Sequence, residues 1–230
     1  MTIKKSAIRV AIPSTMMLVA IGPAAFADGI SGLYVGGSAG SAKIGADYGQ
    51  LQSQLEGEAE GFGTLQFTTA SLHNRNTAWW FNTGYMAWPI VGIDASYLHL
   101  GEIHNQVDGT YTPDGGTSIP ISATTRLKSE GPALGLLFRL PLAEDFALNI
   151  RVADYYAKTT LSTIIDLNGT TATEQTAKRS SLLLGLGASY SFLGHWSARF
   201  DYLRVQHAGD SATVGTYNVD MFAAGVSYTF

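Results

Sequence analysis

Apolar positions alternate with small or polar ones along most of this chain, and the pattern is cleanest at its end. Phe222, Ala224, Val226, Tyr228 and Phe230 share one parity, while Ala223, Gly225, Ser227 and Thr229 share the other. Side chains of a strand point alternately to opposite faces, so this segment predicts a strand with one apolar and one small polar face. Such a strand suits the wall of a closed sheet with lipid outside and a packed polar interior. Seven other segments repeat the signature. Leu33, Val35, Gly37 and Ala39 stand against Tyr34, Gly36, Ser38 and Gly40; Trp79, Phe81, Thr83 and Tyr85 against Trp80, Asn82 and Gly84. Val91, Ile93, Ala95 and Tyr97 oppose Gly92, Asp94 and Ser96, and Pro132, Leu134, Leu136 and Phe138 oppose Ala133, Gly135, Leu137 and Arg139. Phe146, Leu148, Ile150 and Val152 oppose Ala147, Asn149 and Arg151. Leu182, Leu184, Leu186, Ala188, Tyr190 and Phe192 oppose Leu183, Gly185, Gly187, Ser189 and Ser191, and Trp196, Ala198, Phe200 and Tyr202 oppose Ser197, Arg199 and Asp201.

The connections decide what kind of sheet this is. Short links at 87–90, 140–145 and 193–195 alternate with long ones at about 45–75, 102–124, 158–178 and 208–215. A soluble sheet has no reason to keep that alternation, whereas an outer-membrane barrel has short periplasmic turns and long external loops. The expectation is an all-β, eight-stranded antiparallel up-and-down transmembrane β-barrel. Tyr85, Trp88, Phe146, Phe192, Trp196, Tyr228 and Phe230 fall on the short-turn side, as an interfacial aromatic girdle would. Segments 159–167 and 170–179 flank Asn168-Gly169, a pair that favours a tight hairpin turn, and predict a hairpin continuing two strands beyond the membrane. Segment 63–76 is expected to lengthen the second strand in the same way.

The beginning of the chain fits export. Lys4, Lys5 and Arg9 precede a mainly apolar stretch containing Met16, Met17, Leu18 and Val19, and Ala25-Phe26-Ala27 places small residues where a signal peptidase reads them. The stretch is too short for a membrane-spanning helix and is weakened by Pro13, Ser14 and Thr15. Residues 1–27 are therefore expected to be a cleaved signal peptide and residues 28–230 the barrel domain. Cysteine is absent, so sheet closure and not a disulfide framework must hold the domain together. Three of the 14 bases lie in the leader, which leaves the exported part acidic against its 18 carboxylates and argues against nucleic acid as a partner.

Gly32-Leu33-Tyr34-Val35-Gly36-Gly37-Ser38-Ala39-Gly40 resembles the opening strand of the small OmpA/OmpX-type, porin-family outer-membrane proteins. Gly225-Val226-Ser227-Tyr228-Thr229-Phe230 resembles their closing strand. The resemblance covers nearly all of 28–230 and implies a bacterial outer-membrane location, with Tyr228 and Phe230 as the signal read by the barrel-assembly machinery. Neither the periplasmic peptidoglycan-binding domain of longer members nor their wall-anchoring role is expected here.

The remaining bases sort into two sets. Arg139, Arg151 and Arg199 share the interior parity with Asp94 and Asp201, which predicts a buried ionic network inside a barrel only wide enough for side chains. Unpaired buried ions would each cost several kcal/mol, so pairing is required. Lys43, Arg75, Arg126, Lys128, Lys158, Lys178, Arg179 and Arg204 cluster where strands meet long loops, a collar at the height of lipopolysaccharide phosphates. The loop tips carry Glu56, Glu58, Glu60, Asp108 and Asp114 instead.

Catalytic candidates are poor. His195-Trp196-Ser197 has the His-x-Ser spacing of a lipid A deacylase motif, but Ala198 replaces the Asn that follows Ser there, the site is on the periplasmic side, and no orienting acid is placed. His99 and His104, with Glu102 between, fall on opposite faces of an unbroken strand and converge on a metal only if a bulge intervenes. They are expected to be solvated loop residues. Asn168-Gly169-Thr170 is read as a turn and not a glycosylation site. The function expected is that of a non-enzymatic, monomeric, cofactor-free envelope protein that contacts lipopolysaccharide and presents external segments to surface partners. A narrow passive channel for ions or hydrophobic solutes and a lipid-modifying enzyme are the alternatives.

Overall fold

The computed structural model describes residues 32–45, 63–73, 75–113, 116–166, 170–210 and 216–230. The expected signal peptide, the acidic residues Glu56, Glu58 and Glu60, Asp114 and the Asn168-Gly169 pair expected to form a turn lie outside them. Among the described residues there are nine strands: β1 Leu33–Gly45, β2 Gly63–His73, β3 Arg75–Trp88, β4 Val91–Pro113, β5 Ile119–Pro141, β6 Phe146–Asp166, β7 Thr170–Phe192, β8 Trp196–Ala208 and β9 Tyr217–Thr229. All pairings are antiparallel, in the order β4-β3-β1-β9-β8-β7-β6-β5, and β5 pairs back onto β4 to close an eight-stranded barrel.

Following the hydrogen-bonded register once round the wall from Trp196 returns to β8 at Gln206, a stagger of ten residues. A stagger of that size inclines the strands by about 40° to the barrel axis. The alternation read from the sequence is the alternation of the wall. Phe81, Leu134, Leu186, Phe200 and Phe222 are more than half exposed on the outside, whereas Trp80, Asp94, Leu183 and Asp201 are at most 1 % exposed within.

Two expectations need correction. The segment expected to lengthen the second strand is instead a separate strand, β2, which pairs with the outer half of β4, from Gly63 opposite Pro113 to His73 opposite His104. Residues 102–124, expected to be loop, are mostly strand: β4 and β5 stay paired from Glu102–Lys128 to Tyr111–Ile119. A transmembrane strand needs about 9–11 residues, and β4, β5 and β7 have 23 each while β6 has 21. Their surplus, together with β2, continues beyond the external rim as a five-stranded sheet, β2-β4-β5-β6-β7. The expected extension of β6 and β7 as a hairpin is present, with pairing out to Asp166–Thr170.

The step in register where barrel passes into outer sheet has a local cause. The β4–β5 register slips between His99 and Glu102, and Gly101 sits there at φ +83°. That backbone state is open to glycine and strained for other residues. The extra residue is a β-bulge. Below it Leu98 and Leu100 point inward; above it Ile103 and Asn105 do. The periplasmic turns are tight, and the β7–β8 turn places Leu193 at φ +51° and Gly194 at φ +72°.

Candidate functional site: the barrel interior and its external rim

Inside the barrel, five strands bring the expected ionic residues together. Asp94 of β4 accepts from Arg151 Nε of β6 at 2.9 Å, from Asn82 Nδ2 of β3 at 3.0 Å and from the Tyr34 hydroxyl of β1 at 2.6 Å. Arg199 of β8 donates to Asp201 Oδ2 at 3.2 Å and to Asn82 Oδ1 at 3.2 Å, and Arg151 Nη1 lies 3.9 Å from Asp201 Oδ1. The result is a belt of two guanidinium and two carboxylate groups, all but buried. Gly84 makes room for it, because a Cβ there would overlap the Tyr34 hydroxyl. Removing one member of such a belt strands its partner as an unpaired buried charge, at about 3–5 kcal/mol. Arg139 stands apart. Its guanidinium is 3.5 Å from Ser191 Oγ, and it lines a small vestibule of about 40 Å³ with Asn149, Ser189 and Ser197 on the periplasmic side of the belt.

The sequence did not foretell what lies on the external side of the belt. The Trp80 ring lies against the guanidinium groups of Arg151 (4.2 Å from its centroid) and Arg199 (5.0 Å). Above it, Leu98, Leu183, Leu203, Met221 and Tyr155 fill the lumen with an apolar plug in which none is more than 1 % exposed. Its signal in the sequence is a large apolar side chain at an interior position, Leu183 in the sixth predicted strand and Trp80 in the second. The lumen is thus mainly polar below and mainly apolar above, with the belt at the junction.

At the rim, the bulge at Gly101 overturns the expected placement of the histidines. His99, Glu102 and His104 all point outward from β4 and not to opposite faces, and they are strand residues. Each imidazole has its own carboxylate: His99 Nδ1 lies 3.2 Å from Glu130 Oε2, and His104 Nε2 lies 3.4 Å from Glu102 Oε1. Among the described residues no three His, Asp or Glu groups are disposed to hold a metal. Lys128 Nζ approaches Glu130 at 3.0 Å, and the Lys128 ammonium, hydrogen-bonded to that carboxylate, holds it below the usual carboxylate range.

The other collar residues follow the same outward face. Arg126 is 4.0 Å from Glu102, Arg204 is 3.7 Å from Asp220, Lys43 is in register with both Arg75 and Asp220, and Lys158 is directly opposite Lys178. Arg179 differs: it takes the interior parity of β7, at the exposed mouth beyond Ser181. His195 and Ser197 do not form a dyad, since His195 Nδ1 is 2.8 Å from the Thr229 carbonyl oxygen while Ser197 points into the barrel, 3.2 Å from Ser191 Oγ. Asp154, unremarked in the sequence, stands on the lipid face of β6, where Ser180 of β7 donates to it.

A family model described as OmpA-like transmembrane domain matches residues 30–230. Among solved structures, Ail of Yersinia pestis in complex with the heparin analogue sucrose octasulfate is similar at 12 % identity and a TM-score of 0.43, over 86 % of this chain and 99 % of that one. Neisserial surface protein A follows at 15 % identity and 0.45, over 87 % and 98 %. The outer membrane protease OmpT of Escherichia coli is similar at 13 % and 0.44, over 87 % and 97 %. A comparison with curated protein sequences gave no match.

Proposed function

Because this chain belongs to the OmpA-like transmembrane domain family of the bacterial outer membrane, we propose that it is a non-enzymatic wall protein that binds lipopolysaccharide at its rim and presents its outer sheet to surface partners. The observation that carries this is where the charge is spent. Arg151 and Arg199 are consumed in a neutral belt beneath an apolar plug, while Lys43, Arg75, Arg126, Lys128, Lys158, Lys178 and Arg204 stand outward at the rim and Arg179 at the mouth. Each rim cation near an anionic surface contributes about 1 kcal/mol. In this reading the barrel acts as a monomer without cofactor, and Tyr228 and Phe230 are what the barrel-assembly machinery recognises. The partner-facing element is the sheet β2-β4-β5-β6-β7, whose two outer strands offer backbone edges that a partner strand can join.

Glutamine replacement of the collar tests the first half. Loss of lipopolysaccharide co-purification with the barrel still folded supports it; unchanged co-purification refutes it. The runner-up, a narrow passive channel, is favoured by the polar vestibule below the belt. It requires ions to cross the belt and the plug, so stable single-channel currents from purified protein would replace the wall-protein reading. A mass shift of lipid A on expression would point to enzymatic modification instead.

A further inference from the structure

The lipid face of β5, β6 and β7 carries polar groups at two depths. The deeper level is Asp154, in register between Leu134 and Leu182 and hydrogen-bonded by Ser180. With Val152, Ala153 and Ser181 these residues line a shallow groove of about 300 Å³. At about 3.3 Å per residue and a tilt near 40°, Asp154 sits roughly 5 Å below Tyr156 and roughly 20 Å above Phe146, hence in the hydrocarbon edge of the outer leaflet. A charged side chain on the lipid face destabilises a barrel, so this carboxylate needs a donor from the lipid side beyond Ser180.

The shallower level is Lys158, paired directly with Lys178 across the ladder. Like charges opposite one another destabilise an antiparallel pair, and an anion between them removes the repulsion. Glu130 flanks Lys158 on its other side but is engaged by Lys128 at 3.0 Å and by His99 at 3.2 Å. The two levels are separated by roughly 10 Å along the membrane normal.

We propose that they form one site for a phosphorylated glycolipid of the outer leaflet, the lipid anchor of lipopolysaccharide. Lys158 and Lys178 take a phosphate, and Asp154 with Ser180 takes the hydroxyl of a hydroxylated acyl chain lying in the groove. A glycerophospholipid meets the upper level but brings no donor to the lower one. The assignment rests on the collar reading above and fixes which sector of the wall the lipid occupies.

The test uses the folded barrel in detergent, checked by heat-modifiable gel mobility, with retention of hexa-acylated lipid A, dipalmitoyl phosphatidic acid and phosphatidylcholine measured by native mass spectrometry. The double variant Lys158→Gln/Lys178→Gln is expected to lose both phosphorylated lipids. Asp154→Leu is expected to lose about tenfold for lipid A alone, the scale of one charge-assisted hydrogen bond, and Asp154→Asn, which keeps an acceptor, to recover most of it. Unchanged lipid A retention by Asp154→Leu, or equal loss of both lipids, overturns the site while the collar reading stands. Failure of the unmodified barrel to prefer lipid A over phosphatidylcholine overturns both.

Discussion

Leu193 holds a backbone conformation that branched and bulky side chains avoid, at φ +51° in an exposed turn. Its side chain is 83 % exposed and packs against little, so the position is governed by backbone preference. Leu193→Asn or Leu193→Gly is expected to stabilise the barrel by about 1 kcal/mol, read as a later midpoint in urea unfolding from vesicles. Parity makes a second contrast at this scale. Leu186 is 55 % exposed to lipid near mid-membrane, and Arg there is expected to cost about 2–4 kcal/mol. Ser189 points inward, 3.0 Å from Asn149 Nδ2, beside the polar vestibule. Ser189→Arg should retain more heat-resistant barrel than Leu186→Arg on the same gel, and equal loss would contradict the described faces.

Strands were legible because each wall position has only two fates, lipid or lumen, and the residues at 79–85, 132–139 or 182–192 choose between them in strict alternation. The bulge was not legible. Leu98, His99, Leu100 and Gly101 continue the old phase on paper, and nothing but one glycine among 26 marks the slip. The histidines were misplaced for that reason alone. The neighbours of a strand residue are likewise invisible from its own sequence, so Asp154 could not be matched to Ser180, nor Glu130 to Lys128 and His99. That last cluster yields a pH prediction. The Glu130 carboxyl is held below its ordinary value of 4.5, so its contribution to the β4–β5 rim is present above that value and disappears as pH falls through the lowered one. Glu130→Gln should narrow the stability difference between neutral and acid conditions, seen as a smaller shift in unfolding midpoint between pH 6 and pH 3. A variant with the unaltered acid response would exclude Glu130 as its source.

In the whole barrel the first and last strands, β1 and β9, pair with each other, with the Phe230 amide donating to the Leu33 carbonyl at 2.9 Å and its ring edge-on to Tyr228 at 5.1 Å. That is a small share of a wall of eight strands. Deleting Phe230 is therefore expected to change the urea midpoint of refolded barrel little while sharply lowering the amount found in the outer membrane. Normal outer-membrane levels would remove the assembly role from this residue. The family and the location could be read from such strand ends, but the layered lumen could not, because Trp80 meets Arg151 and Arg199 only after three distant strands have come together.

The single extra residue at Gly101 has a further consequence for how the protein can change over time. Below it the chain is bound to a two-beat rhythm dictated by the bilayer; above it the beat restarts with the opposite accent. Deleting Gly101 is expected to return the outer half of β4 to the phase of the transmembrane half, exchanging Ile103 and Asn105 for Glu102 and His104 on the inner face. The joint therefore uncouples two reading frames. The segment facing the environment is free to drift, lengthen or be exchanged as a cassette, while the segment facing lipid keeps its cadence.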